Sequence, residues 1–129
     1  MTLSDPVANM LTIIRNANMR RYRTVSFPHS SFKWEICKKI QENNFFSKCF
    51  FDEEKKIIKV EIKYDKKASK ISELKKISTP SKHIHLRFEE INKKCRGKRT
   101  YFISTSSGLM TNKEALENKI GGKVIFSIL

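Results

Sequence analysis

Cysteine, glycine and proline are all scarce in this chain of 129 residues, which has three, four and three of them. The cysteines (Cys37, Cys49 and Cys95) are scattered and form no C-x-x-C pair, so we expect reduced thiols rather than a disulfide framework or a zinc site. No run reaches the roughly 20 apolar residues that cross a bilayer, which predicts no membrane span. The first residues lack a charged leader followed by an apolar segment, and we expect neither secretion nor an import presequence.

Signatures of catalysis are also lacking. The sequence contains neither a G-x-S-x-G nucleophile elbow nor a P-loop, and its acidic residues stand singly or in a predicted turn rather than as paired carboxylates. The three histidines are His29, His83 and His85, and none is spaced with a carboxylate in the way metal ligands usually are. We therefore expect no enzymatic activity, no metal or other cofactor and no small-molecule substrate.

Acidic residues are few, since 13 Asp and Glu stand against 27 Lys and Arg and give a formal net charge of +14. Such a charge favours a polyanionic partner, and RNA is the one that we expect. The second half is the more basic, because residues 1–64 carry 12 cations and 7 acids whereas residues 65–129 carry 15 and 6. An apolar content of 39% is enough for a folded core, so the charge does not predict disorder.

Local signals predict a small α/β unit in residues 1–64. Asp5 as N-cap and Pro6 at the first helical position begin a helix that ends near Asn18. Its apolar face is predicted from the spacing of Val7, Met10, Leu11 and Ile14. A strand is predicted at 25–28, followed by a helix that a serine at 30–31 can cap. The inward positions expected in this second helix are Phe32, Ile36 and Ile40.

A hairpin completes this unit, with strands at 45–51 and 56–64. Ile58, Val60, Ile62 and Tyr64 alternate with charged residues, as in a strand with one buried face. The polar segment 65–72 shows no periodicity and is the predicted linker. The expected domains are therefore 1–64, the linker 65–72, and a C-terminal unit 73–129.

The C-terminal unit is predicted to be mostly β. Strands are expected at 74–77 and 83–88 around a turn at 78–81, then a basic loop at 93–99 and a strand at 100–103. Thr111 and Glu114 form a capping box that opens one short helix to about Lys119. Gly121 and Gly122 end that helix, and a closing strand follows at 124–129. The predicted fold class is α+β with two small subdomains, the first containing a three-stranded sheet.

The run from Ser104 to Thr111 is the most informative segment for function. Ser104, Thr105, Ser106 and Ser107 place four hydroxyls before Gly108, and such small side chains let another backbone or a base approach closely. One interpretation is an ordinary strand-to-helix connection rich in turn formers. The other is a site where the hydroxyls and the helix N-terminus at Thr111 bind phosphate, sugar or a base edge.

Two further groups are candidates for RNA contact. The basic loop holds five cations in seven residues, which are Lys93, Lys94, Arg96, Lys98 and Arg99. They could form a solvated charge run, but phosphate pairing would relieve their mutual repulsion and make binding strongly salt-dependent. The polar face of the first helix, with Thr12, Arg15, Asn16 and Asn18, suits contact with sugar and phosphate and suits water equally well.

Several ordered motifs resemble one known family. These are the start 5–17 (DPVANMLTIIRNA), the central 76–80 (KISTP), the run 105–111 (TSSGLMT) with Glu114 and Ala115, and 121–124 (GGKV). Together they resemble the bacterial-type eighth small-subunit ribosomal protein family over essentially the whole chain. The resemblance implies a primary rRNA-binding protein that docks its C-terminal half on an irregular helix in the central domain of the small-subunit rRNA and supports assembly. Its implied partners are that rRNA and neighbouring small-subunit ribosomal proteins.

The family's Ser-Thr-Ser-x-Gly loop maps onto Ser104, Thr105, Ser106 and Gly108, which the resemblance implies are the main RNA contact. With the basic and polar groups above, the expected RNA-binding residues of the C-terminal half are Lys82, His85, Lys93, Lys94, Arg96, Lys98, Arg99, Ser104, Thr105, Ser106, Ser107, Gly108, Thr111, Gly121, Gly122 and Lys123. Those of the first helix are Asp5, Pro6, Thr12, Arg15, Asn16 and Asn18.

The sequence departs from the family pattern at several places. Ser81 and His85 replace a Pro-Gly and a later Tyr, so stacking at 85 would fall to an imidazole. Arg99 replaces the second Gly of a Gly-x-Gly motif. The remaining replacements are Leu116, Lys123 and Leu129.

The source and role predicted from these features leave alternatives open. Such drift, with a composition typical of an AT-rich genome, favours an organellar ribosome, the mitochondrion slightly before the plastid. A bacterial cytoplasm is the alternative. For function, the alternatives are a free-standing RNA-binding regulator or RNA chaperone and, more distantly, an RNA-processing enzyme.

Overall fold

The computed structural model describes residues 6–65, 68–69, 71–78, 82–95 and 97–129. These residues form two compact units, 6–72 and 73–129, and the α+β class is confirmed. The first unit contains α1 (Pro6–Met19), β1 (Thr24–Pro28), α2 (Ser31–Glu42), β2 (Phe46–Asp52), β3 (Ile57–Ile62), β4 (Tyr64–Asp65) and β5 (Ala68–Ser69). The second contains β6 (Leu74–Lys76), β7 (His85–Leu86), α3 (Phe88–Lys94), β8 (Thr100–Thr105), β9 (Gly108–Thr111), α4 (Asn112–Glu117) and β10 (Gly122–Ile128).

In the first unit, α1 and α2 pack on one face of an antiparallel sheet with strand order β1-β3-β2. The predicted alternation is confirmed for Ile58, Val60 and Ile62, which are buried in β3. The strand is shorter than the predicted 56–64, because β3 ends at Ile62 and Tyr64 is half-buried in β4. The apolar stripe of α1 is confirmed as well, with Met10, Leu11 and Ile14 almost fully buried. The predicted N-cap Asp5 lies outside the described residues.

One inward position predicted for α2 is wrong. Ile36 and Ile40 are buried, but Phe32 is 37% exposed. The buried stripe instead runs through Lys33, Ile36, Cys37 and Ile40, which follow the helical spacing of three and four residues. Lys33 is tolerated there because its ammonium group donates a hydrogen bond to the Pro28 carbonyl at 3.2 Å.

The segment predicted as a linker contains some regular structure. β4 pairs with β5, and the Tyr64 hydroxyl donates a hydrogen bond to the Tyr22 carbonyl at 2.7 Å. The Asn18 side-chain amide donates to the Ile71 carbonyl at 2.9 Å. The boundary between the two compact units falls between Ser72 and Glu73.

The second unit is a five-stranded antiparallel sheet with strand order β6-β10-β8-β9, in which β7 also pairs with β10. Its helix-side core consists of Ile91, Cys95, Ile103, Ala115 and Val124. Phe102 and Phe126 stack with ring centroids 4.5 Å apart in the sheet centre, and both are fully buried. Among the described residues, no helix is long and apolar enough to span a bilayer.

This unit has two helices rather than the single one predicted. The expected strand at 83–88 is limited to His85–Leu86, and the expected basic loop begins as the last turn of α3. Acidic residues in the first turn of α3 and lysines in its last turn favour the helix through its dipole. The Glu90 carboxylate also accepts the Arg87 backbone N–H at 3.1 Å. Seven residues around one buried isoleucine are too few to show a helical period in the sequence.

One of the two interpretations of 104–111, an ordinary strand-to-helix connection, is wrong. Gly108–Thr111 is a strand, β9, that pairs with β8 to form a hairpin. The capping box is confirmed, since the Thr111 hydroxyl accepts the Glu114 N–H and the Glu114 carboxylate accepts the Thr111 N–H. Helix α4 then ends at Glu117 rather than near Lys119, which has a left-handed φ of 52°.

Candidate nucleic-acid interface

The β8–β9 hairpin presents two free hydroxyls at its tip. Thr105 pairs with Gly108 across the two-residue turn, and its hydroxyl donates to the Gly108 carbonyl at 2.7 Å while accepting the Ser107 N–H at 3.1 Å. Gly108 has a φ of 109°, a conformation that residues with a Cβ rarely adopt. Ser106 and Ser107 are exposed, and their hydroxyls make no hydrogen bond within the described residues. The run of four hydroxyls is therefore divided between holding the turn and facing solvent.

A row of polar side chains crosses three strands close to this turn. Lys123 of β10 lies opposite Ser104 of β8 on one side and opposite His85 of β7 on the other. Residues directly opposite in an antiparallel ladder share a face, so the ammonium, hydroxyl and imidazole groups lie side by side. His85 is exposed and the other two are half-buried. The fold thus brings together three of the residues predicted from sequence.

No anion in the described part of the chain neutralises Lys123. It makes no ion pair there, and it is close enough to Lys76 to influence that residue's titration. Burial lowers the pKa of Lys76, and the positive charge of Lys123 lowers it further. Uncompensated positive charge on a sheet face is a physical reason for an anion to bind there.

The two adjacent glycines have a packing role in this row. A Cβ at Gly121 would overlap the Leu86 carbonyl oxygen, and a Cβ at Gly122 would overlap the Ser104 carbonyl oxygen. Only glycine therefore lets β10 lie this close to β7 and β8. The RNA contact predicted for Gly121 and Gly122 stays a prediction, and their role in the structure is to position Lys123.

Thr111 offers no accessible group for the predicted phosphate contact. It is 3% exposed, and its hydroxyl is engaged with Glu114 in the cap of the six-residue α4. The next residue, Asn112, is also buried, where it accepts the Tyr101 N–H and donates to the Cys95 carbonyl. These two residues stabilise the fold between α3, β8 and α4.

The cations at 93–99 do not form one continuous loop. Lys93 and Lys94 end α3, and Lys94 lies 3.7 Å from the Glu90 carboxylate. Lys98 follows Gly97 in an exposed turn, and neither Lys93 nor Lys98 makes an ion pair among the described residues. Lys82, another predicted contact, is exposed, and Arg96 lies outside the described residues.

Arg99 differs from these lysines because it is held inside its own unit. Its guanidinium donates to the buried Ser127 hydroxyl at 3.0 Å and to the Glu73 carboxylate at 3.0 Å. Only 20% of the Arg99 side chain is exposed. The guanidinium of Arg99 therefore ties the start of β8 to β10 and to the segment before β6.

The predicted residues of α1 belong to the other unit and are described separately. Pro6, Thr12 and Asn16 are exposed, whereas Arg15 and Asn18 are half-buried. Pro6 and Thr12 line a groove of about 450 Å³. Asn18 is engaged with the Ile71 carbonyl and holds the chain after β5.

Two residues that sequence reasoning missed lie beside His85. A groove of about 430 Å³ is lined by His85, Arg87, Phe88 and the two glycines, with Leu86 and Glu90. Arg87 is exposed and Phe88 half-buried, so this groove offers a cation and two aromatic rings. The dipeptide Arg87-Phe88, which follows His85 and Leu86, is a signal in the sequence, but there it is interpreted as the end of the predicted strand 83–88.

Metal ligands and reactive thiols are not found at this interface. Within the described ranges, no three His, Cys, Asp or Glu residues lie together as metal ligands. The cysteines are free thiols. Burial raises the pKa of each of them, most strongly for Cys37, so the neutral thiol is favoured.

Comparisons with known proteins agree with the resemblance in the sequence. Residues 5–129 match the family model described as Ribosomal protein S8. The small ribosomal subunit protein uS8 of Mycoplasmopsis synoviae is 40% identical over 128 residues, covering 97% of both chains. Those of Mesoplasma florum and Clostridioides difficile are 42% and 39% identical, covering 95% and 97% of both chains. These relatives are bacterial, so the expectation of an organellar compartment gains no support.

Proposed function

This chain belongs to the ribosomal protein S8 family and is a constituent of the small ribosomal subunit, and from that premise we propose that it binds the central domain of the small-subunit rRNA directly. We further propose that this binding supports assembly of the subunit. Members of this family are structural rather than enzymatic. The partners proposed beyond the rRNA are the neighbouring proteins of the small subunit.

The observation that carries the proposal is the hairpin tip beside the Lys123–Ser104–His85 row. The hydroxyls of Ser106 and Ser107 can both donate and accept, so they suit a sugar hydroxyl, a phosphate or an exposed base edge. Sequence-specific RNA recognition mostly targets irregular or single-stranded regions, whose base edges are accessible. A small tip at the edge of a rigid sheet fits into such an irregular helix with little steric cost.

Affinity and positioning are assigned to different residues. Lys93, Lys98 and Lys123 carry positive charge without an ion pair in the described part of the chain, and they provide salt-dependent attraction to phosphates. Ser104, Ser106 and Ser107 set the register of the contact through hydrogen bonds. In the adjacent groove, His85 and Phe88 offer surfaces on which an unstacked base can stack, and Arg87 lies beside them.

Substitution of a tip serine tests this proposal. We expect Ser106→Ala to weaken binding to a central-domain rRNA fragment by about 1–2 kcal/mol, because one hydrogen bond is lost at a desolvated interface. Filter binding at fixed salt measures the change. Ser31→Ala is the matched control, since Ser31 is an exposed serine at the start of α2. Equal affinities for the Ser106 and Ser31 variants would contradict the proposed role of the hairpin tip.

Sedimentation separates this proposal from a free-standing RNA-binding regulator or RNA chaperone. A ribosomal component should migrate with the small subunit in a sucrose gradient of a cell extract. Protein found mainly at the top of the gradient would favour the regulator. Cleavage of the rRNA fragment by purified protein would indicate a processing enzyme, which the geometry gives no reason to expect.

A further inference from the structure

A turn rich in arginine follows α1 in the first compact unit. Residues 20–23 read Arg-Arg-Tyr-Arg, and we call them the arginine turn. Arg20, Arg21 and Arg23 are exposed, and Tyr22 between them is 53% exposed. Three of the seven arginines of the chain therefore lie within four residues at the surface of this unit.

Hydrogen bonds hold the backbone of the arginine turn in one shape. The N–H groups of residues 20–22 donate to carbonyls of residues 16–18 over 2.9–3.3 Å. Arg21 has a left-handed φ of 59°, a conformation in which helices commonly end. The Tyr22 carbonyl accepts the Tyr64 hydroxyl at 2.7 Å. The exposed side chains therefore project from a fixed backbone.

Stabilisation of α1 does not account for the three guanidinium groups. Cations near the C-terminus of a helix can stabilise it by bonding its last carbonyls or through its dipole, an effect that falls off within the last turn. Here backbone N–H groups already bond the carbonyls of residues 16–18, and the last turn of α1 has no basic residue. The side chains of the three arginines make no ion pair or hydrogen bond within the part of the chain that the structure describes.

Acidic residues near the arginine turn do not balance its charge. The turn is bonded to the end of α1 and to the segment 62–64; residues 16–19 and 62–64 contain no acid, and Lys63 adds a cation. Even when the flanking acids Glu61 and Asp65 are counted, four cations stand against two acids. Uncompensated positive charge on a fixed backbone is lowered in energy when an anion binds.

The chemistry of these side chains favours a nucleic-acid backbone as that anion. The planar guanidinium group binds phosphate and carboxylate alike, with two parallel N–H···O bonds. A protein partner would have to present several carboxylates side by side, whereas a nucleic-acid strand carries a phosphate at every nucleotide. The exposed ring of Tyr22 adds a surface on which an unpaired base can stack.

We propose that the arginine turn is a second RNA-contacting surface, which binds backbone phosphates of the small-subunit rRNA through its three arginines and stacks an unpaired base on Tyr22. This inference rests on the direct binding of rRNA proposed above. The surface is separate from the hairpin tip, which lies in the other compact unit. Contacts to phosphate position a protein without reading sequence, so the arginine turn contributes affinity and salt dependence rather than specificity.

Filter binding of the full-length chain to full-length small-subunit rRNA, over a range of salt, tests the charge. Combined Arg20→Gln, Arg21→Gln and Arg23→Gln should lower the slope of log affinity against log salt by about two units, because each phosphate contact contributes about 0.7–0.9. Lysine at the same three positions should keep most of the slope, because the positive charge is kept.

A matched control removes the same charge from the same unit. Combined Lys55→Gln, Lys56→Gln and Lys59→Gln replaces three exposed lysines in or near the acidic hairpin turn 52–54, and it should change the slope by less than about one unit. Equal slopes for the two triple variants would overturn the proposal. Equal urea midpoints would show that the variants are folded.

Photo-crosslinking in assembled small subunits distinguishes RNA from a protein partner. A benzophenone amino acid in place of Tyr22 should crosslink mainly to rRNA. A crosslink mainly to a neighbouring protein, or no crosslink, would overturn the proposal. Ser106→Ala should weaken binding of the central-domain fragment without changing the salt slope, so failure of the hairpin proposal can be told apart from failure of this one.

Discussion

Lys98 and Arg99 are adjacent cations for which the structure predicts opposite effects on substitution. Lys98 is exposed and makes no ion pair in the described part of the chain. Arg99 donates to the Ser127 hydroxyl and the Glu73 carboxylate, each at 3.0 Å. We therefore expect Arg99→Ala to reduce stability and Lys98→Ala to reduce affinity for RNA.

The magnitude for Arg99→Ala follows from its two partners. Glu73 is 51% exposed, so the ion pair contributes only about 0.2–1 kcal/mol. Ser127 is fully buried, and leaving its hydroxyl without Arg99 costs about 1–3 kcal/mol. The expected loss in free energy of unfolding is therefore about 2 kcal/mol. Lys98→Ala should stay within about 0.5 kcal/mol of the parent, as for most exposed substitutions.

Urea unfolding followed by circular dichroism measures the stability side of the prediction. Because most of the loss is assigned to Ser127, Arg99→Ala should be less harmful in a Ser127→Ala background, and the four variants form a double-mutant cycle. Filter binding over a range of salt measures the other side. Lys98→Ala should lower the salt slope by about one unit, whereas Arg99→Ala should leave the slope unchanged where both variants are folded.

The reasoning would be refuted by either of two results. If Arg99→Ala is as stable as the parent chain, the buried Ser127 contact contributes nothing measurable. If Arg99→Ala lowers the salt slope as Lys98→Ala does, the guanidinium contacts phosphate and the sequence-based prediction of an RNA contact is the better one.

Two further predictions concern packing and pH. Gly122→Ala should lower the free energy of unfolding by about 1–3 kcal/mol, because the added Cβ would overlap the Ser104 carbonyl. Urea unfolding measures the change, and a midpoint equal to that of the parent chain would contradict the packing role. Burial raises the pKa of Cys49 from 9.0 to about 12, so above pH 9 the unfolded state loses this proton while the folded state keeps it. The free energy of unfolding should therefore fall as the pH rises from 9 towards 12, and Cys49→Ala should reduce that slope in urea midpoints taken across this range; an identical slope would contradict the burial of the thiol.

The elements predicted correctly are those with signals in a few neighbouring residues. The period-two alternation at 58–62 gave β3, and the spacing of Met10, Leu11 and Ile14 gave α1. The capping box at Thr111 placed the start of α4 correctly. In each case the physical cause is local, since periodicity and caps depend on residues within one or two turns of each other.

The missed features depend on partners outside the segment itself. Gly108–Thr111 has no pattern of its own and is a strand because β8 supplies its hydrogen bonds. The packing role of Gly122 depends on the Ser104 carbonyl, 18 residues away in the sequence. The partners of Arg99 lie 26 and 28 residues away, so its charge alone indicated a phosphate contact.

The hydroxyl run shows how pairing divides residues that look equivalent in the sequence. The hairpin directs Ser104 into the row with Lys123, uses Thr105 to close the turn, and leaves Ser106 and Ser107 at the tip. Removing the Thr105 hydroxyl would therefore act through the shape of the turn, whereas removing a tip hydroxyl would act only on the RNA contact that we propose. In the proposed interface, specificity for a structured rRNA would therefore come from where the rigid sheet holds these hydroxyls rather than from their number.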